Sequence, residues 1–541
     1  MNRKTKEIKV VYGAVMIIFL AFLATPLFFI FQNAFIGNEG FSFAFFKEII
    51  GDKDFGKMMG NSLFVSILSA VISTILAFLI SYTLQYTNIH KKGKDVIRSI
   101  TVMPMLLPTI TYGFAIIYSF GKQGLMTKIF GRQLFEIYGK NGLILGFVIY
   151  TLPVAFTLIN NTMRYIDKKF SVVSRIMGDS PIKNFKNTVL VPMLGTLGAA
   201  FVQSFFLCFT DFGIPASVGG EYKVIASSLY GEMLGSIPNF HTGSVIALLM
   251  LVPSVISIGV LTWLERYNIR YQKISSVEIH KNTIRDGIFG ILSAVVCISI
   301  LIVFAVIVIV PFVKLWPYDM SFTVEHVMEG LTDAGLGTVY KNSLIVAIIT
   351  AAAGVLLTYG AALITARSPL PKIAKKVIES ISLITNTVPG MVLGIAYLLM
   401  FTGTSLQNTF IIIIICNVIH YFSTPYLMFH NSLAKMNNSW ETTAMLMGDT
   451  WVKTVLRVVT PNALSTIWEV FAYYFVNAMV TISAVVFLVG ARTAVMTTKI
   501  KELQHFAKFN EIFILSLMIM LTNIAAKMIF QKLANKRSKK K

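Results

Sequence analysis

The stretches SRIMGDSPIKNFKNTVLVP, residues 174–192, and TAMLMGDTWVKTVLRVVTP, residues 443–461, share a Met-Gly-Asp core and a closing proline. Glycine has no Cβ and takes the positive-φ turn that stops one short helix and releases another at a steep angle. A carboxylate just after it, Asp179 or Asp449, suits the positive N-terminal end of the second helix. Pro192 and Pro461 then suit the first turn of the helix that follows. The basic runs IKNFKNTVL and WVKTVLRVV lie between glycine and proline. This chemistry is recognition and not bond making. One such helix pair reads as an interfacial element resting on headgroups, whereas two in matching places favour a partner with two matching sites.

Other chemistry is thinly represented. No Gly-x-x-x-x-Gly-Lys-Ser/Thr phosphate loop occurs, so the chain carries no ATP-hydrolysing motif of its own. Cys208, Cys297 and Cys416 are too scattered for a disulfide framework or a metal site. The ionisable residues that approach apolar segments are Asp211, Glu379 and Glu469, with His420 and His430. That set is sparse for a proton relay, and no nucleophile, metal cluster or acid–base pair marks an enzyme. Candidate pathway residues are Thr210 and Asp211 in one part of the chain and Thr481 and Ser483 in another. Pro108 and Pro389 join them, because an intramembrane proline frees a backbone carbonyl that needs a partner or water. Glu469, midway along STIWEVFAYYF, reads either as a polar tie between helices or as a pathway group.

The elements that must position these residues are apolar. The chain has 541 residues, of which 55% are hydrophobic and 13% charged, against about 25% charged in soluble domains. Runs long enough to cross a hydrocarbon core of about 30 Å centre near residues 21, 73, 109, 152, 201, 255, 302, 353, 390, 420, 476 and 521. The expected fold is an all-α polytopic membrane protein of about twelve spans. With a cytoplasmic N-terminus, the inside segments hold 33 of the 47 Lys and Arg residues, which fixes both termini in the cytoplasm. The net charge of +22 is therefore topology, and nucleic acid is excluded as a partner. The tail KLANKRSKKK reads as a retention charge against the anionic lipid of the inner leaflet. No signal peptide is expected, because the first apolar run is longer than an h-region.

The twelve spans repeat as two sets of six. Asn61-Ser62 opens the second span and Asn342-Ser343 the eighth, 281 residues later; the same offset relates Pro108 and Gly113 to Pro389 and Gly394. Beyond the third span the offset is 270, pairing Gly178-Asp179 with Gly448-Asp449, because the loop at 121–141 is longer than its counterpart at 402–408. The expected organisation is a first half at 1–267, a polar cytoplasmic linker at 268–286 and a second half at 287–541. An even span number gives the halves the same orientation, and such parallel repeats frame transport paths.

The repeated loops resemble the cytoplasmic loop of binding-protein-dependent ABC transporter permeases, with its Glu-Ala-Ala, three residues, Gly and closing Leu-Pro. On that resemblance Gly448 is the loop glycine and Pro461 the closing proline. Thr442-Thr443-Ala444 stand at the Glu-Ala-Ala positions, with Glu441 one residue earlier. In the first half Gly178 matches, Pro192 closes one residue late, and Val172-Val173-Ser174 replace the acidic triplet. The resemblance implies that these loops are coupling helices docked on two copies of a separate ATPase subunit, which uses the ATP. It further implies a soluble extracytoplasmic binding protein that delivers substrate, and a bacterial inner-membrane location. The chain itself would bind no cofactor. A permease with both halves on one chain is similar to the fused permeases of ferric-iron, 2-aminoethylphosphonate and thiamine importers. Residues 210–235 are most similar to the phosphonate group, with the ferric group next. The rival expectation is an ion-coupled secondary transporter.

Overall fold

The computed structural model describes residues 3–37, 40–264, 281–332, 334–437 and 439–538. Of the linker expected at 268–286, only 281–286 fall among them, and the last three lysines of the tail also lie outside. The described residues are overwhelmingly helical. Their strands form two short hairpins, Ile36–Gly37 with Gly40–Phe41 and Val313–Leu315 with Asp319–Phe322.

Among the described residues, nine helices are long and apolar enough to cross a membrane, and three bent pairs raise the number to twelve if each pair counts as one span. All twelve expected centres fall on these elements. The third and ninth spans are broken at the prolines expected to interrupt them. A helix rich in lysine, Lys91–Val102 or Lys372–Thr387, meets the following helix at 113° or 101°. The helix after each break, Thr109–Phe120 or Gly390–Phe401, has 12 residues. At 1.5 Å per residue that is about 18 Å, well short of a hydrocarbon core. Pro108 and Pro389 occupy the breaks in extended conformation, where the ring disfavours a helical preceding residue.

The helices pack through small residues, as expected where lipid supplies no hydrophobic drive between them. Ser62, Ser66, Ser69 and Ser73 share the buried face of Lys53–Tyr86, and Ser73 meets Thr151 of Lys140–Arg164 at 2.7 Å.

The chain divides into two compact units, one of Met1–Ile49, Tyr230–Leu251 and Val327–Lys541 and the other of Ile50–Leu229 and Val252–His326. Repetition and packing thus divide the chain differently. In the first unit the N-terminal span packs on helices of the second sequence half: Tyr397 donates to the Phe22 carbonyl at 2.6 Å, and Phe19 meets Phe422 edge-on at 4.6 Å. In the second unit the seventh span packs on helices of the first sequence half. There Thr83 and Ser293 share a 2.7 Å hydrogen bond and Tyr82 lies 4.5 Å from Phe289.

Each unit also contains a clip made by the repeated Asn-Ser pair. Asn61 donates to the Lys223 carbonyl at 3.0 Å, and the Ser62 hydroxyl accepts from the Ile225 N–H at 2.8 Å. Asn342 donates to the Ala494 carbonyl at 3.0 Å, and Ser343 accepts from the Met496 N–H at 2.8 Å. These bonds satisfy the first orphan donor of the helices Ile225–Leu234 and Met496–His505. The motif therefore secures the return of the chain after the fifth and eleventh spans.

Candidate functional site: two hinged loops and the helices they begin

Each Met-Gly-Asp segment is a helix, a left-handed glycine and a second helix. Lys169–Ile176 precedes Gly178, and Ser439–Leu446 precedes Gly448. Gly178 has φ +83° and Gly448 +78°, the region a Cβ penalises. In the first loop the Gly178 N–H reaches the Arg175 carbonyl and the Asp179 N–H reaches Ser174, at 3.0 and 3.1 Å; in the second the Asp449 N–H reaches Ala444 at 2.9 Å. These bonds satisfy carbonyls the first helix leaves open.

The capping oxygens of the second helices come from Ser180 and Thr450, which accept from the N–H groups of Lys183 and Lys453 at 3.4 and 3.3 Å. Asp179 and Asp449 sit one residue earlier than a cap and pair with Lys183 (2.7 Å) and Lys453 across the first turn. Lys183 and the Ser174 hydroxyl hold the Asp179 carboxyl below the usual carboxylate range.

The second short helices do not end before the membrane helix. Pro181–Phe185 runs through a π turn at Lys186–Leu190 into Val191–Thr210, and Trp451–Thr454 runs through Val455–Val459 into Thr460–Val480. Pro192 and Pro461 follow these wide turns after one intervening residue. A proline inside a regular helix lacks a donor and clashes with the carbonyl one turn back; the i→i−5 turn removes that conflict. The expectation that the prolines begin separate membrane helices is thereby corrected. The result is one continuous helix of 30 residues on each side, Pro181–Thr210 and Trp451–Val480. Each is about 45 Å long, so its hinged end projects beyond a 30 Å hydrocarbon layer.

Large apolar side chains crown both glycines: Ile176 and Leu446 are 79% and 85% exposed, with Met177 and Met447 beside them. Exposed apolar clusters rimmed by charge are docking surfaces. Of the triplet positions, Thr442 and Thr443 are exposed, Ala444 is half-buried, and Ser174 is buried beneath its glycine. Glu441 holds both carboxylate oxygens against Arg367, at 2.7 and 2.6 Å.

The far ends of the two continuous helices carry the other expected residues. Thr210 ends its helix and Asp211 caps the short helix Gly213–Val218, accepting from the Ile214 N–H at 2.9 Å and facing the Thr109 hydroxyl. Thr109 follows Pro108, so the broken third span and the fifth span meet here. The approach is close: a Cβ on Gly113 would lie 1.7 Å from the Ser217 hydroxyl. Around Thr481 and Ser483 the same design recurs, with a Cβ on Gly394 only 2.4 Å from the Ala484 carbonyl and Pro389 beginning the same helix. Glu469 is not brought to this cluster. It is exposed, lies beside Ser465, and sits about 18 Å along the helix from Thr481. His430 bonds to Thr365 at 3.0 Å, a packing contact. Sequence reasoning missed Arg367; an arginine that ends a long apolar helix was the available signal.

A family model, the binding-protein-dependent transport system inner membrane component, matches residues 73–269 and again 354–540. The chain belongs to that family. Its two copies coincide with the two sequence repeats and cover both hinged loops. This family member is a multi-pass permease subunit of an ABC importer. It is 24% identical over 515 residues to the ferric transport system permease protein FbpB of Actinobacillus pleuropneumoniae, covering 91% of this chain and 74% of that one. A putative ferric transport system permease protein FbpB of Haemophilus influenzae is 23% identical over 89% of this chain and 78% of its own. The molybdenum transport system permease protein ModB of Escherichia coli is 23% identical, over 32% of this chain and 78% of its own.

Proposed function

We propose that this chain forms the translocation pathway of an importer for ferric iron, the iron being cargo handed over by a soluble binding protein. The observation that carries the substrate is coverage. The ferric permeases align across both halves, whereas the molybdenum and the spermidine/putrescine permeases match about a third of the chain or less. The ATP is used by two copies of a separate ATPase subunit, one at each hinged loop, with Ile176-Met177 and Leu446-Met447 as the inserted apolar contacts. Both termini face the cytoplasm. Nucleotide-driven displacement of each loop moves the continuous helix it begins, and so moves the Asp211 and Thr481 ends that meet the broken third and ninth spans.

Uptake of radiolabelled ferric iron into proteoliposomes containing the chain, its ATPase and its binding protein tests this reading. ATP-dependent iron uptake that is indifferent to excess 2-aminoethylphosphonate and thiamine is the expected result. ATP-dependent uptake of labelled 2-aminoethylphosphonate without iron uptake would replace the substrate. Uphill transport by the chain alone would favour the ion-coupled reading.

A further inference from the structure

The two hinged loops are tied to the rest of the fold in different ways. Arg367, the last residue of the helix Ala334–Arg367, has a side chain with no solvent exposure. Its guanidinium donates to both oxygens of Glu441, to the Met436 carbonyl at 2.8 Å and to the Asn437 carbonyl at 2.9 Å. It also lies 5.8 Å from the Trp440 ring. The planar fork of arginine is suited to such multiple, fixed contacts. The Glu7 carboxylate then accepts from the Val452 N–H at 3.1 Å, so the N-terminal helix caps the helix beyond the glycine. Both limbs of the second loop are therefore wired to membrane helices.

At the equivalent positions of the first half stand Tyr86 and Ser171, which cannot form this ion pair. Asn184 instead bonds to the Ser171 carbonyl at 2.8 Å, closing the first loop on itself, and the loop meets the second span through apolar edge contacts of Phe185 with Phe78 and Tyr82, at 6.1 and 5.7 Å. Lys168 lies 5.6 Å from the Tyr86 ring, a contact that fixes no direction. The difference reaches the surface: Ile182 is 81% exposed and its counterpart Val452 only 39%.

The geometry points to unequal coupling. The second loop moves as one rigid piece with the eighth span through the Arg367–Glu441 pair, whereas the first loop is a compliant foot that shifts against the second span. Arg367 and Glu441 are positioning residues. This inference rests on the proposed docking of an ATPase at both loops.

Pulsed spin-label distance measurements on the full chain complexed with its ATPase, with and without ATP plus vanadate, test it. One label pair is introduced at Ile348→Cys and Ser439→Cys, the other at the equivalent Ile67→Cys and Lys169→Cys. All four positions are exposed, none is among the apolar contacts assigned to the ATPase, and the three native cysteines are buried. Nucleotide is expected to leave the second-half distance unchanged and to shift the first-half distance by a few ångström. Glu441→Gln is expected to make the second pair shift as the first does, and the charge-keeping Glu441→Asp to hold the distance fixed. Should Glu441→Gln fail to assemble, Glu7→Gln removes one tie and is expected to broaden the second distance alone. Equal shifts of both native pairs, or a distance that stays fixed in both Glu441→Gln and Glu7→Gln, would overturn the inference. A native chain that captures no ATPase would instead remove the proposed function.

Discussion

The loops around Gly178 and Gly448 have the same turn, the same Asp–Lys pair and the same π turn before a proline, yet their moorings differ. The first is closed by its own Asn184 and touches the second span through apolar contacts of Phe185; the second is held by hydrogen bonds, from Arg367 on one membrane helix and from Glu7 on another. Duplication keeps the glycine conformation and its apolar crown, the features on which the proposed docking rests. It leaves free how that surface is braced, because bracing depends on which neighbours each half acquired.

The comparison breaks most visibly at the glycines. Gly178→Val and Gly448→Val meet open space but unfavourable φ, a cost of about 1–2 kcal/mol at each turn. Each is expected to lower ATPase capture in co-purification by about tenfold, equally on both sides; a loss confined to one variant would make docking itself one-sided. Next is Arg367→Leu, which strands Glu441 and two carbonyls and is expected to cost about 3 kcal/mol in thermal unfolding of the detergent-solubilised chain. Lys168→Ala in the first half is expected to cost under about 1 kcal/mol. Asn184→Ala removes an internal tie, costs about 1–2 kcal/mol, and is expected to raise protease nicking at 174–192 with none added at 443–461.

The smallest effect concerns pH. Lys183 and Ser174 depress the Asp179 carboxyl, so its contribution is full above the ordinary carboxylate pKa. It erodes as pH falls below that value and is gone once pH passes the lowered one. Hydrogen exchange across 174–192 should therefore be flat from neutral to mildly acidic pH and quicken only below, while Asp179→Asn exchanges faster throughout.

Much of this was legible in the residues. Apolar length located all twelve spans, and the 281 and 270 offsets located both loops, because a repeat preserves spacing even where side chains diverge. The bends at Pro108 and Pro389 were visible as prolines, but their angles of 101–113° depend on the glycine contacts that seat the following helix. The continuity of the fifth and eleventh spans was hidden: Pro192 and Pro461 read as helix starts, and nothing local to a sequence announces a π turn. The Arg367–Glu441 pair was hidden for another reason, since residues 74 positions apart meet only after the helices have packed. Glu469, which drew notice as an acid in an apolar run, lies apart from the cluster at Thr481.

The wide turn and its proline arrive one residue later after Gly178 than after Gly448, and Pro192 is buried where Pro461 is exposed. One residue on a helix is a rotation of about 100° and an advance of about 1.5 Å. On the proposed docking, two chemically identical motor proteins would thus meet feet of different azimuth and reach, and a symmetric engine would acquire a left hand and a right.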